Sequence, residues 1–353
     1  MGRGYTEEQI QQVVEANDIV DVISQYVTLK KSGSQYMGRC PFHNEKTPSF
    51  SVSAEKQLYH CFGCGAGGNL ITFVMNMENL NFIDAIKHLS QIANIYLPDP
   101  KAENDAESIK RERQYKLHRE AALYFHKMLI KDIPAQRYLF SRGIQEETIK
   151  KFALGYSTSK FDGLFKHLSY KGYTRQEMLD SGLVLASKRD DGCYDRFRSR
   201  IMFPIVTVTG RVIGFGGRLT EKSEKYPKYL NSPENAIFTK GNHLYGLNIA
   251  KNNIKDGKII AVEGYMDVIS LHQAGVKNAV ASLGTALTKG QGRLIKRYVD
   301  EVVLCYDGDE AGQRAMIRGI EVLDGLDLSI KVLRLPAGKD PDDFIKKEGL
   351  KAF

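Results

Sequence analysis

The stretches IIAVEGYMD (259–267) and VVLCYDGD (302–309) carry the fold of this 353-residue chain. Ile259 to Val262 and Val302 to Cys305 are apolar runs too short for a helix, so each is expected to be a buried strand of a parallel sheet. Each strand delivers acid at its carboxyl end. Glu263 follows the first, with Asp267 four residues on, and Asp307 and Asp309 follow the second. Open α/β sheets bind ligands at that end. Like charges about 4 Å apart repel by roughly 4 kcal/mol at an effective dielectric near 20, so the four acids call for a divalent cation among them. An all-oxygen donor set with few protein ligands per ion suits one or more Mg²⁺, with Mn²⁺ as the alternative. A single strand-end acid would be an ordinary solvated loop residue. Four of them, beside Gly264 and Gly308, favour a metal site.

The chain has room for two or three domains. Hydrophobic residues make up 42% and charged residues 26%, the balance of a globular protein and not of a disordered one. The start, MGRGYTEEQ, has no apolar core of signal-peptide length, and no uninterrupted apolar run is long enough to span a membrane, so a cytoplasmic protein is expected. Five cysteines, three of them clustered, point to metal and free thiols rather than disulfides. The net charge of +8 is uneven: −2 over residues 1–98, +9 over 99–245 and +1 over 246–353. A basic middle directly before the acidic cluster fits a polyanion-binding surface.

Residues 6–28 carry two amphipathic helical patterns, with Asn17 and Asp18 as cap residues between them. From Thr28 to His60 the pattern changes to short strands, VTLKK, QYMGRC, FSVS and LYHC. Cys40 and His43 (CPFH) and Cys61 and Cys64 (CFGC) are two pairs at metal-ligand spacing, separated by seventeen residues, enough for a hairpin. Four protein ligands leave no open position, so one structural Zn²⁺ is expected. A redox CxxC would leave His43 unexplained. Asn69 and Asn81 then cap two helices that close the module, and PDPKAENDAESIKRERQ (98–114) reads as a charged tether running into a helix.

In the basic middle, IMFPIVTV and RVIGFGG read as a hairpin turning at Thr209-Gly210. Arg196, Arg198 and Arg200 alternate, so an extended chain would place them on one face. That pattern fits either a phosphate-gripping surface or a charged edge strand. YPKYLNSPE and IFTKGNHLYG follow as expected loops containing Lys228, Tyr229, Asn231 and Lys240, a mixture of basic, aromatic and amide groups that can hold bases and phosphates. The last part alternates strand and helix as a parallel α/β unit. Asp340, Asp342 and Asp343 in KDPDD follow another strand end, where they either complete the acidic site or form a solvated turn.

Taken together, CPFH…CFGC, RFRSRIMFPI, KYLNSPE, VEGYMDVISLHQAG, SLGTALT, YDGDEAGQRA and GKDPDD resemble the bacterial replicative DNA primases, in family order and over nearly the whole chain. The acidic unit alone resembles the Toprim domain. The resemblance implies a multidomain α/β protein: a β-rich zinc ribbon with flanking helices (1–98), a charged linker (99–111), a mixed α+β basic subdomain (112–250), a Toprim parallel sheet (257–338) and the start of a C-terminal extension (339–353). It implies a nucleotidyltransferase that copies single-stranded DNA into short RNA primers from ribonucleoside triphosphates at the replication fork. Glu263, Asp307 and Asp309 would carry Mg²⁺, with Asp267, Asp340 and Asp342 as further candidates, while Arg196, Arg198, Arg200, Lys228, Tyr229, Asn231 and Lys240 would hold nucleotide or template. Lys30, Arg39, Lys46, Phe50, Tyr59 and Phe62 are candidate template contacts of the zinc module, with Phe50 and Phe62 equally expected as residues of its small core.

Family members continue into a domain that docks on the replicative helicase, which is expected to be absent here, and a monomer is expected. A fused primase-helicase is disfavoured because no GxxxxGK[ST] phosphate loop occurs in the chain. A topoisomerase would instead form a covalent tyrosine adduct. A non-catalytic zinc protein would bind DNA yet incorporate nothing, and the intact acids argue against it.

Overall fold

Asn17 and Asp18 separate the first two helices, α1 (Glu7–Glu15) and α2 (Ile19–Ser24). Asp18 accepts hydrogen bonds from the backbone N–H groups of Val20 and Asp21, while buried Asn17 donates to the carbonyls of Val13 and Leu89. The computed structural model describes residue 5 and residues 7–78, 80–97, 105–187, 192–221, 223–254, 256–284 and 286–353. It divides into two units, Met1–Ile109 and Lys110–Phe353.

In the first unit β1 (Lys30–Ser32), β2 (Gln35–Gly38), β3 (Phe50–Ser53), β4 (Leu58–Cys61) and β5 (Gly67–Asn69) form an antiparallel sheet in sequence order. Along β4 the two-residue period points Leu58 and His60 outward and Tyr59 and Cys61 inward. Helix α3 (Leu70–Glu78) packs on the inner face and α4 (Phe82–Ile92) packs against α3 and α1, the two capped by Asn69 and Asn81 as expected. Phe50 and Tyr59 are therefore not surface contacts. They are 0% and 2% exposed, and their rings lie 5.3 Å apart, with Tyr59 5.5 Å from Phe73 in the core. Phe62, by contrast, is 71% exposed.

Of the expected linker, residues 99–104 lie outside the described residues and 105–111 open α5 (Asp105–Lys131). In the second unit α6 (Ile133–Ser141) and α7 (Glu146–Lys151) precede β6 (Gly155–Ser157), α8 (Gly163–Tyr170), α9 (Arg175–Asp180) and a small hairpin, β7 (Val184–Ala186) with β8 (Cys193–Asp195). Then β9 (Arg200–Val206) and β10 (Val212–Leu219) form the expected hairpin, extended by β11 (Tyr229–Asn231) into the order β11-β10-β9-β6. So Tyr229 to Asn231 form an edge strand rather than a loop, paired with Gly216 to Arg218.

After the short helix α10 (Leu247–Ala250), β12 (Lys258–Val262), β13 (Ala279–Ala281), β14 (Glu301–Leu304) and β15 (Ser329–Val332) build an all-parallel sheet in the order β13-β12-β14-β15. Between and after them run α11 (Tyr265–Ala274), α12 (Lys289–Lys296), α13 (Glu310–Leu323) and α14 (Pro341–Glu348). One apolar cluster joins the two sheets: Ile201, Phe203 and Ile205 of β9 meet Val262, Tyr265 and Ile269, together with Leu139 and Ile345. The Phe203 and Tyr265 rings stack at 5.0 Å. Residues 112–250, 257–338 and 339–353 thus fall in a single compact unit.

Candidate active site and metal centre

The parallel strands carry the acids to one end of their sheet. Glu263 directly follows β12, and its carboxylate accepts the backbone N–H of Asp307 at 3.3 Å. Past β14, buried Cys305 and Tyr306 lead to half-buried Asp307. The loop is tight: a Cβ on Gly308 would meet the Pro336 carbonyl oxygen at 2.4 Å, and one on Gly312 would meet the Asp307 carbonyl oxygen at 2.2 Å. Only glycine leaves room for that path. Asp309 is exposed and caps α13, accepting from Gly312 N–H at 2.8 Å, and Asp340 caps α14, accepting from Asp343 N–H at 2.6 Å. Asp267, buried in the first turn of α11, accepts from Gly264 N–H at 3.0 Å and Asp342 N–H at 3.2 Å. Helix N-termini offset part of the gathered negative charge.

The rest of that charge is only partly offset by nearby cations. Burial, reinforced by Glu263, Asp340 and Asp309, pushes the Asp307 carboxyl up to about 7, with Lys228 pulling the other way. Burial and then Asp309 raise Glu263. Burial first, then Asp307, Asp340 and Asp342, holds Asp267 well above the ordinary carboxylate range. Asp307 Oδ1 is buried and, among the described residues, has no hydrogen-bond partner. A carboxylate oxygen of this kind needs a proton or a cation, and carboxylate donors suit a hard divalent ion. Among the described residues, Glu263, Asp307 and Asp309 do not form a set of three with oxygens within 4.8 Å of one another, whereas Asp340, Asp342 and Asp343 do. Asp342 differs from the other two, because it is 1% exposed and paired with the cations of Arg142 and Lys346.

The basic residues divide into several roles. Arg196, Arg198 and Arg200 line one pocket of about 490 Å³, together with Tyr226. They do not share an extended strand. Ser199 adopts φ of 52°, and β9 begins only at Arg200. The Arg200 guanidinium is spent on the carbonyls of Gly217, Lys228 and Pro227, at 3.1, 3.2 and 2.9 Å, which makes it a brace for the β10–β11 edge. Arg198 lies over the rings of Phe161 and Tyr194, and Arg196 reaches the Asn231 carbonyl at 3.4 Å.

Lys228 is exposed, and its charge is felt at Asp307, so it borders the acids. Tyr229 accepts a hydrogen bond from Arg218 at 2.9 Å and is pushed up to about 12 by burial. The Asn231 amide donates to the Leu283 carbonyl and accepts from the Tyr265 hydroxyl, both at 2.8 Å, tying β11 to the parallel-sheet side. Lys240 instead joins through its backbone to Glu234 and Gln291. Two residues escaped sequence reasoning. Arg218 is buried at the end of β10, where its only signal was a charge closing an apolar, glycine-rich run. Arg142 had none.

The cysteine and histidine pairs converge. The four ligand atoms of Cys40, His43, Cys61 and Cys64 lie within 4.8 Å of one another, with Cys40 and Cys64 sulfurs 3.7 Å apart and Cys61 Sγ 3.8 Å from His43 Nδ1. A tetrahedron with Zn–S bonds of about 2.3 Å has edges of about 3.8 Å, so these two separations match a zinc tetrahedron and the chemistry of the donor set suits that ion. Backbone N–H groups of Phe42 and Cys64 point at the Cys40 and Cys61 sulfurs. His43 Nε2 sits 3.4 Å from Glu45, an outer partner of the kind that orients metal-bound imidazoles.

Three family models match successive parts of the chain: a CHC2 zinc finger at residues 5–105, the N-terminal domain of the DNA primase catalytic core at 124–251, and a Toprim-like domain at 260–345. The DNA primase of Clostridium acetobutylicum is 50% identical over 349 residues, which are 98% of this chain and 58% of that protein. The DNA primase of Escherichia coli K12 is 42% identical over 355 residues, 98% of this chain and 60% of that one. The crystal structure of the zinc-binding and RNA polymerase domains of Aquifex aeolicus primase matches with a TM-score of 0.64 at 40% identity, covering 97% of this chain and 82% of that one. A DnaG primase catalytic domain bound to ssDNA matches with a TM-score of 0.65 at 38% identity, covering 70% of this chain and 80% of that one. The chain therefore spans about three fifths of the length of these full-length relatives. Among the described residues no helix is long and apolar enough to cross a membrane.

Proposed function

The chain belongs to the DNA primase family, and from that premise we propose that it is the catalytic part of a DNA-directed RNA polymerase that builds short RNA primers on single-stranded DNA from ribonucleoside triphosphates. The observation that carries this reading is the buried Asp307 Oδ1, without a hydrogen-bond partner among the described residues, amid the charges of Glu263, Asp309 and Asp340. Glu263, Asp307 and Asp309 would hold Mg²⁺ or Mn²⁺, with Asp267 and Asp340 beside them. A bound ion there supplies positive charge to the reacting phosphate and activates the attacking 3′-hydroxyl.

The remaining work falls to the chain's own side chains. Exposed Lys228 and the guanidiniums of Arg196 and Arg198 pair with triphosphate or template phosphates. Arg200, Asn231 and the Arg218–Tyr229 pair fix the edge strand from which Lys228 projects. In this reading residues 112–250 hold nucleic acid and nucleotide, and 257–338 hold the cation.

Cys40, His43, Cys61 and Cys64 would hold one structural Zn²⁺, and residues 1–98 read the template through exposed Lys30, Arg39, Lys46 and Phe62. Their net charge of −2 favours base contact over bulk attraction. Incubating the chain with single-stranded DNA, labelled ribonucleotides and Mg²⁺ tests the proposal. Short RNA that vanishes in Asp309→Ala is expected, and Mg²⁺-dependent synthesis undiminished in that variant would refute the assignment. Deleting residues 1–98 should shift start-site choice.

A further inference from the structure

Asp342 belongs to the acid-rich KDPDD turn, yet its surroundings are those of an anchor. One carboxylate oxygen meets the Ser270 hydroxyl and the Lys346 ammonium, and the other meets the Arg142 guanidinium at 3.0 Å. With both oxygens engaged and two cations paired with it, the Asp342 carboxylate has no free oxygen to offer a divalent ion. The Asp342 backbone N–H also reaches the carboxylate of Asp267 at 3.2 Å. Two residues earlier, Asp340 caps the same helix and adds its charge to those felt at Asp307 and Asp267.

Arg142 arrives from the end of α6, 200 residues away in sequence. The turn that follows it is itself tied to α11: Gln273 donates to the Gly143 carbonyl and accepts from Gln145 N–H, each at 2.8 Å. The first turn of α14 is thus pinned from α6 and from α11 at once.

We propose that Arg142 is a positioning residue which, through its ion pair with Asp342, sets Asp340 in the acid cluster, and that Asp342 is an anchor and not a metal ligand. The proposal rests on the reading of Glu263, Asp307 and Asp309 as a cation site. It makes a prediction of definite sign. Were Asp342 a ligand, Arg142→Ala would free an oxygen and remove a positive charge, so a divalent ion would bind more tightly. As an anchor, Asp342 loses its tie, α14 shifts, and the ion binds about tenfold more weakly, the range seen when outer partners of metal ligands are removed.

The experiment is a titration of the zinc-loaded 353-residue chain with Mn²⁺, following the free-ion paramagnetic resonance signal, for wild type, Arg142→Ala, Arg142→Lys and Asp307→Asn. Thermal melts establish that each variant is folded. Weaker binding in Arg142→Ala, restored to within about threefold by Arg142→Lys, is expected, together with a raised metal requirement in primer synthesis. Unchanged or tighter binding in Arg142→Ala, while Asp307→Asn abolishes it, overturns the positioning role and leaves the cation site standing. Wild type that binds no Mn²⁺, or Asp307→Asn that binds like wild type, overturns both. Should Arg142→Ala not fold, Arg142→Gln keeps a donor and similar volume without the charge and makes the same comparison.

Discussion

Replacing Asp307 by asparagine should stabilise the metal-free chain above neutral pH while destroying its catalysis. Burial and neighbouring acids raise this carboxyl from 3.8 to about 7 in the folded state. For an acid raised in this way, the unfolded chain releases its proton first as pH rises. The penalty is therefore absent below about pH 4, grows through the window between about 4 and 7, and is complete above it. A shift of about three units corresponds to roughly 4 kcal/mol, and because Asp307 is only half-buried, screening by water reduces this to about 2 kcal/mol.

At about 2 to 4 °C per kcal/mol for a unit of this size, Asp307→Asn should melt roughly 4 to 8 °C above wild type at pH 8 and close to it at pH 5. Mg²⁺ should raise the wild-type melting temperature more at pH 8 than at pH 5, and should not raise that of the variant. The assay is thermal unfolding by circular dichroism in buffer depleted of Mg²⁺ without chelator, since a chelator would also strip zinc. A variant that melts lower than wild type at both pH values, or a Mg²⁺ effect independent of pH, would refute the reasoning.

Removing zinc with a strong chelator should melt the five-stranded sheet, because binding contributes on the order of 10 kcal/mol to such modules; loss of strand signal together with release of one zinc per chain checks this. Phe50→Ala should cost about 3 to 5 kcal/mol in denaturant unfolding of the zinc unit, whereas Phe62→Ala, at 71% exposure, should stay within about 0.5 kcal/mol and act on template selection. Arg200→Ala, which strands three carbonyls, should destabilise by about 2 kcal/mol and lower primer synthesis by loosening the Lys228 edge, measured by parallel melts and nucleotide incorporation.

The strands that carry Glu263 and Asp307 were legible because a fully buried parallel strand is written locally, as a short apolar run ending in polar residues. The two ligand pairs were legible because metal coordination restricts spacing within a single turn. What escaped was decided by partners distant in the chain. Tyr59 faces inward only because α3 brings Phe73 against it, and the same packing decides between the core and surface readings that the letters left open for Phe50. Residues 229–231 form a strand only because β10 offers an unpaired edge. Asp342 looked like its neighbours in KDPDD, and nothing in those letters shows an arginine arriving from residue 142. The alternating arginines misled for a local reason, since one left-handed residue, Ser199, breaks the extended path that alternation assumes.

The apolar cluster shared by the antiparallel and parallel sheets has a bearing on how the molecule fails. Because β9 and α11 bury their side chains against each other, the apolar layers beneath the arginine pocket and beneath the parallel sheet are joined through a shared one, and the two sites should be lost in one cooperative step. Partial heating or limited proteolysis would then yield no survivor that binds nucleotide yet lacks the acids. Damaged molecules would withdraw from a template altogether instead of lingering on it as inert competitors.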